Sequence, residues 1–320
     1  MNTPVQYQRR SGTTRVLKDK IFVLVCIAVA ALSVIALIAL LGSIFKLGVS
    51  HLDWSFLNNA PSRRAAKAGI GPALWGSVWV CSVCALVALP LGVGTAIFLE
   101  EYKPKRSLMR KLHGFVQLNI TNLAGVPSIV YGILGLTVFV QFFGLLGNPN
   151  DPSFAIGTKD DWYYVQLPFG RGVLAGGLTL MLVVLPVIII AAQEALRAVP
   201  DSLREGALAT GATKWQMVSR MTLPAAIPGI MTGAILAMSR AIGEAAPMLV
   251  IAGIVYITFT PSHLMDEFTV MPLQIYDWAG RPQDAFHAVA ATGILVLLAA
   301  LLTFNAVAVF IRQRFQKPLQ

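Results

Sequence analysis

A chain of 320 residues that is 56% hydrophobic and only 12% charged carries about half the charge of a soluble domain of its size. With a mean hydropathy of +0.69, that excludes a water-soluble globular enzyme and puts the apolar surface in lipid. The formal charge of +10 does not point to nucleic acid. The basic residues cluster at the ends of apolar runs, as the positive-inside rule expects of a membrane protein.

Residues 1–20 are polar and basic, with Arg9, Arg10, Arg15, Lys18 and Lys20, and read as a disordered or surface-lying arm. Residues 21–45 form the first apolar run, long enough to span a bilayer with tilt and too long for a cleavable signal. Residues 51–72 form a polar outer loop that carries Arg63, Arg64 and Lys67. Residues 73–99 form the second span, with kinks expected at Pro90, Gly92 and Gly94. Gly92-Val93-Gly94 follows no strand and gives no dinucleotide site. Cys26, Cys81 and Cys84 all lie inside apolar runs. Cys81-Ser82-Val83-Cys84 has C-x-x-C form, but it has neither an exposed loop for redox work nor two further ligands for zinc. These cysteines read as small apolar residues of helices.

Residues 100–111 are the first inner loop, and the third span runs from about 113 to 143. Its first half is unusually polar. Asn119, Thr121, Asn122 and Ser128 must face protein or water, because lipid offers no hydrogen-bond partner. The stretch from Pro127 to Gly132 reads either as a broken helix lining a cavity or as a helix interface built on small residues. Residues 144–170 are an outer segment with a strong turn signal at Asn148-Pro149-Asn150-Asp151-Pro152. The fourth span is 171–196, the fifth 228–256 and the sixth 285–311, with 260–284 outside. The fold class is therefore all-α, a polytopic membrane protein of six transmembrane helices. An arm at 1–20 is followed by a transmembrane domain at 21–320 that contains a polar loop at 197–224. Segments on the arm's side hold 17 of the 25 basic residues and the opposite segments seven, which puts both termini in the cytoplasm.

The polar loop is rich in good helix formers. Asp201 and Ser202 offer N-cap oxygens, and Glu205 stands three residues after Ser202, the spacing of a capping box. Gly211 breaks the helix, Thr213 or a neighbour starts a second one, and Leu223-Pro224 stops the pattern. A short helical pair between two spans is either a docking surface for a soluble partner or a loop helix lying on lipid headgroups.

Arg240 stands about 12 residues into the fifth span, roughly 18 Å along it, near the bilayer midplane. An arginine there costs about 2.5–3.5 kcal/mol even on the lenient scale and marks a substrate path or a paired charge. Glu244, four residues on, can pair with it. Two readings follow: a structural salt bridge at a subunit interface, or an anion site in which the planar fork of Arg240 suits an oxyanion such as phosphate.

Glu205-Gly206-Ala207, three residues, Gly211, nine residues, Met221-Thr222-Leu223-Pro224 closely resembles the EAA loop of ABC-importer permeases. That loop reads E-A-A, three residues, G, nine residues, I-x-L-P. The departures, Gly206 for Ala and Met221 for Ile, keep the residues small or apolar. The segment GIMTGAILAMSRAIGEAAPML, with Pro127-Ser128-Ile129-Val130 and MPLQIYDWAG, is similar to phosphate-specific ABC permeases over about residue 73 to the C-terminus. Ala246-Pro247 leans to one of the two permease types of such importers. The resemblance implies a type I ABC importer permease fold in a bacterial plasma (inner) membrane. It implies a substrate path including Arg240, Glu244 and Ser128. It also implies that Glu205, Gly206, Ala207, Gly211, Leu223 and Pro224 couple to an ATPase.

The implied partners are a second similar permease, two ATPase subunits that use ATP and Mg, and an extracytoplasmic phosphate-binding protein. This chain would bind no cofactor or metal and would catalyse no reaction itself; it contains no G-x-x-x-x-G-K-[ST]. Rival readings are an importer for another oxyanion or small solute, an ion-coupled secondary transporter or channel, and a sensor subunit.

Overall fold

A backbone in lipid must satisfy its own polar groups, and the long apolar runs accordingly fold as helices. The computed structural model describes residues 12–104, 106–148, 151–152, 154–158, 161, 163–253 and 256–315. In chain order the helices are α1 (Gly12–Gly48), α2 (Trp54–Asn58), α3 (Gly71–Glu101), α4 (Ser107–Leu123), α5 (Ser128–Gly135), α6 (Val173–Arg197), α7 (Asp201–Ala209), α8 (Lys214–Met217), α9 (Leu223–Gly243), α10 (Ala246–Ile251), α11 (Met271–Ala279) and α12 (Asp284–Phe315). Between α5 and α6 lie two short antiparallel pairs, β1 (Gly147–Asn148) with β2 (Asp151–Pro152), and β3 (Phe154–Ile156) with β4 (Val165–Leu167). Arg9, Arg10, Lys105, Pro149, Asn150, Lys159 and Lys317 lie outside the described residues.

Among the described residues, five helices are long and apolar enough to cross a membrane, or six if α4 and α5 count as one span. That third span is not a single rod. It bends by 108° between α4 and α5. Pro127 has no N–H and pushes the residue before it out of the helical region. The Tyr131 hydroxyl donates at 2.7 Å to the Leu123 carbonyl, which also accepts the Val126 N–H at 3.1 Å, and so ties α5 to the end of α4.

The α1 helix starts at Gly12, inside the stretch read as an arm, whose residues 1–11 lie outside the described ones. The segment 260–284, read as an outer segment with no element assigned, contains α11, most of whose residues are buried. The fifth span does not run unbroken to residue 256. It ends at Gly243, because Pro247 would collide with the Gly243 carbonyl of a continuing helix.

The core is α3 packed along α6. Val80, Cys84, Val184, Ile188, Met248, Ile251 and Phe268 fill it. A Cβ on Gly177 would stand 2.5 Å from Val83 Cγ1 and 3.2 Å from the Val80 carbonyl oxygen, so a small residue sets the closeness of these helices. At the other end of α3, Phe56, Ile70, Trp278 and Phe286 form a second cluster. The α4 helix is tied to the core by polar contacts. His113 Nε2 bonds to the Leu99 carbonyl at 2.8 Å, and Gln117 and Gln193 exchange amide bonds of 3.1 and 2.8 Å. The α1 helix is exposed over most of residues 16–47, while Gly48 at its end is buried, and Thr292 Oγ1 donates to the Gly48 carbonyl at 2.8 Å, holding that end.

Candidate functional site

The polar loop folds as two short helices at a corner. Pro200 stands at the N-cap of α7, and no side chain caps that helix. The capping box read at Ser202 and Glu205 does not form, because Ser202 is already inside the helix. The working box is the next one: the Thr213 hydroxyl accepts from Gln216 N–H at 3.3 Å, and the Gln216 side chain accepts from Thr213 N–H at 2.8 Å. Gly211 joins the two helices with φ +86°, a left-handed conformation that suits glycine.

Leu223-Pro224 does not stop the helix. Residues 214–243 run continuously through one wide turn, Val218–Thr222, in which Leu223 N–H reaches back five residues to the Val218 carbonyl. The wider turn makes room for the ring of Pro224, which would crowd the Arg220 carbonyl in a regular α-helix.

Gly206 and Ala207 line a cleft of about 450 Å³ between α7 and α8, with Gln216, Arg220 and Met221 on its other wall. Glu205, Gly211 and Pro224 are exposed and Leu223 is half-buried. Around the cleft Leu208, Trp215 and Met221 expose apolar surface. Exposed aromatic and apolar side chains beside free charge make a surface that can receive a partner.

The whole element is anchored by a residue that sequence reasoning passed over. Arg204 donates to Glu101 Oε1 through Nη2 at 3.0 Å and Nε at 3.2 Å, to the Leu196 carbonyl at 2.7 Å, to the Val199 carbonyl at 2.6 Å and to Asp201 at 2.9 Å. All five guanidinium N–H donors are thereby used. The available signal was an acid pair, Glu100-Glu101, at the basic end of an apolar run.

The second group centres on Arg240. It occupies the last turn of α9, and Glu244 is the first residue beyond it, in extended conformation. Arg240 Nε donates to Glu244 Oε1 at 3.1 Å, with the arginine side chain 56% exposed and the glutamate 14%. The pair forms as the spacing suggests, but across a helix end rather than along a continuous helix. A cation in the last turn also complements the negative end of the helix dipole, which Glu244 alone would oppose. Ser239, next to Arg240, hydrogen-bonds the Asn305 side chain of α12. Ser128 is the first residue of α5 and half-buried. No hydrogen bond joins it to the pair. Its helix packs on α10 where Gly132 meets Pro247, so the two interrupted spans touch beside their breaks. Among the described residues no group of His, Cys, Asp or Glu is arranged to hold a metal.

Comparison with known proteins agrees with this geometry. The chain is 32% identical over 303 residues to the probable ABC transporter permease protein YqgI of Bacillus subtilis, covering 91% of this chain and 93% of that one. It is 34% identical over 248 residues to the phosphate transport system permease protein PstA 1 of Mycobacterium tuberculosis, covering 76% and 70%. With the PstC protein of Mesorhizobium japonicum it shares 33% over 257 residues, covering 78% and 77%. Among solved structures, a chain of a bacterial alginate ABC transporter in complex with an alginate pentasaccharide-bound periplasmic protein superposes with a TM-score of 0.63. The identity is 16%, and the superposition covers 95% of this chain and 96% of that one, which carries the fold alone. Residues 14–317 match the family described as binding-protein-dependent transport system inner membrane component. The chain belongs to that family, the membrane-spanning permeases of ABC importers.

Proposed function

We propose that this chain is the PstA-type permease subunit of an ATP-driven phosphate importer. The observation that carries the reading is the exposed α7–α8 element, joined to α6 across a corner, continuous with α9, and fixed to a third long helix by Arg204. It is built to receive a force rather than to lie on lipid. The corner at Gly211 presents Glu205, Gly206 and Ala207 to a nucleotide-binding subunit, where ATP and Mg are used. The likeness to phosphate transport permeases and the Arg240–Glu244 pair support phosphate as cargo. A guanidinium offers an oxyanion two parallel hydrogen bonds.

In this reading both termini and the α7–α8 element face the cytoplasm. A second, PstC-like permease completes the path, two ATPase subunits dock at α7–α8 and its counterpart, and an extracytoplasmic binding protein delivers phosphate from outside. Closure of the ATPase dimer brings the docking helices together and opens the path outward, and hydrolysis resets it. Arg240, Glu244 and Ser128 line the route; no bond of the cargo is made or broken.

The test is purification of the tagged chain from its own membrane, identification of co-eluting subunits, and reconstitution into vesicles. An ATPase should co-elute, and uptake of radiolabelled phosphate should require ATP and resist competition by sulfate. Uptake without ATP would leave a secondary transporter, and sulfate competing as well as phosphate would leave an importer of another oxyanion.

A further inference from the structure

The α3 helix does not adjoin the α7–α8 element in the chain, yet its end is held by it. Three consecutive residues close α3, and each is taken by a cation from a different element. Glu100 Oε2 accepts from Arg197 Nε of α6 at 2.9 Å, while its other oxygen takes Lys103 at 2.8 Å. Glu101 receives Arg204 of α7 through two nitrogens. The Tyr102 ring faces Lys214 Nζ of α8, 5.0 Å from its centroid. The Glu101–Arg204 pair is the enclosed one, with side chains only 6% and 16% exposed. Exposed ion pairs hold little. An enclosed contact in which two guanidinium nitrogens converge on one carboxylate oxygen is charge-assisted and directional. The remaining guanidinium N–H groups bond the Leu196 and Val199 carbonyls and Asp201. Arg204 therefore locks the α6–α7 corner and the end of α3 into one piece.

Without this contact, displacement of α7–α8 would pull on α6 and α9, the helices at its two ends, and on α3 only through the exposed Lys214 beside Tyr102. With it, the same displacement must also carry α3, which packs along α6 and touches α9. We propose that the Glu101–Arg204 pair is the joint that transmits movement of the docking element to α3, making Arg204 and Glu101 positioning residues for energy coupling. The inference rests on the reading of α7–α8 as an ATPase dock.

The experiment uses the intact complex in vesicles with Arg204→Gln, Glu101→Gln and Arg204→Lys. Three quantities are read together: ATPase subunits retained, ATP hydrolysed and phosphate taken up. Breaking a largely enclosed pair should leave the ATPase bound and hydrolysing, while phosphate carried per ATP falls about tenfold or more in the two Gln variants. Arg204→Lys keeps the charge and is the variant safest for folding. It loses the fork to the carbonyls and should give an intermediate ratio. A merely structural role predicts that hydrolysis and uptake fall in step with the amount of assembled complex, and that result overturns the joint. So does a normal ratio in all three assembled variants. If the wild-type chain purifies with no ATPase at all, the docking reading itself fails, and the joint with it.

Discussion

Gly132 of α5 and Pro247 of α10 lie backbone against backbone: a Cβ on Gly132 would stand 2.8 Å from Pro247 Cα and 3.0 Å from its carbonyl oxygen. This contact clasps the two broken spans together and holds α10 at a fixed distance from α5. Gly132→Ala should therefore force α10 outward at a cost of about 1–3 kcal/mol, as overpacking does. A lowered melting temperature of the purified complex, with reduced uptake, is the expected result. Unchanged melting and uptake would mean that the helices part freely.

At Gly211 the constraint is one of backbone, not of space. Its φ is +86° and nothing lies within 4 Å of an added Cβ. Asn, which tolerates left-handed backbone better than other residues with a side chain, should retain most coupling, whereas Val should lose much of it. Pro fixes φ near −65° and cannot make this corner. Gly211→Pro should leave insertion intact and uncouple ATP hydrolysis from uptake. Normal phosphate uptake with Pro at this position would count against the docking role.

For the Arg240–Glu244 pair, substitution separates the two readings. Arg240→Lys keeps the charge and loses the fork, and should transport poorly in a complex that still assembles. Arg240→Gln should abolish uptake. A purely structural bridge predicts loss of assembled protein in both Arg240→Gln and Glu244→Gln, and recovery when the charges are exchanged as Arg240→Glu with Glu244→Arg. Membrane-inserted protein and radiolabelled phosphate uptake are measured side by side. Restored uptake in the exchanged pair would remove Arg240 from the anion path.

Orientation can be read independently. Reporter fusions after residues 107, 212 and 318 should report cytoplasm, and those after 58, 160 and 270 the outside, following the basic-residue imbalance of 17 to seven. An outside signal at 212 would put α7–α8 away from ATP.

Much of this was readable in the chain because the signals are local. The runs of apolar residues, the Thr213 start and the spacing from Glu205 to Pro224 each depend on neighbours a few residues apart. Two errors were also local. Ser202 looked like a cap because Glu205 stood three residues on, but Pro200 and Asp201 start the helix earlier. Hydropathy carried the fifth span through 244–245, although Pro247 already marked the break. The contact between Glu101 and Arg204 spans 103 positions, and no periodicity links residues that far apart. Only the closing of α3 on α6, set by small residues such as Gly177, brings them together. The α11 helix escaped notice because nine residues are too few to carry a clear helical period.

The wide turn at Val218–Thr222 has a further consequence, one of phase. An α-helix turns by about 100° per residue, so one extra residue accommodated in a π turn rotates everything after it by that amount. The turn lies between the cleft beneath Gly206 and the stretch bearing Ser239 and Arg240. Closing that turn as ordinary α-helix with every residue kept would undo this rotation. Ser239 would swing away from Asn305, and Arg240 would be aimed along a different azimuth relative to the docking face. The fixed count of nine residues between Gly211 and Met221 then matters as an angle as well as a length. A chain in which this turn tightened would keep both groups of side chains and lose their alignment.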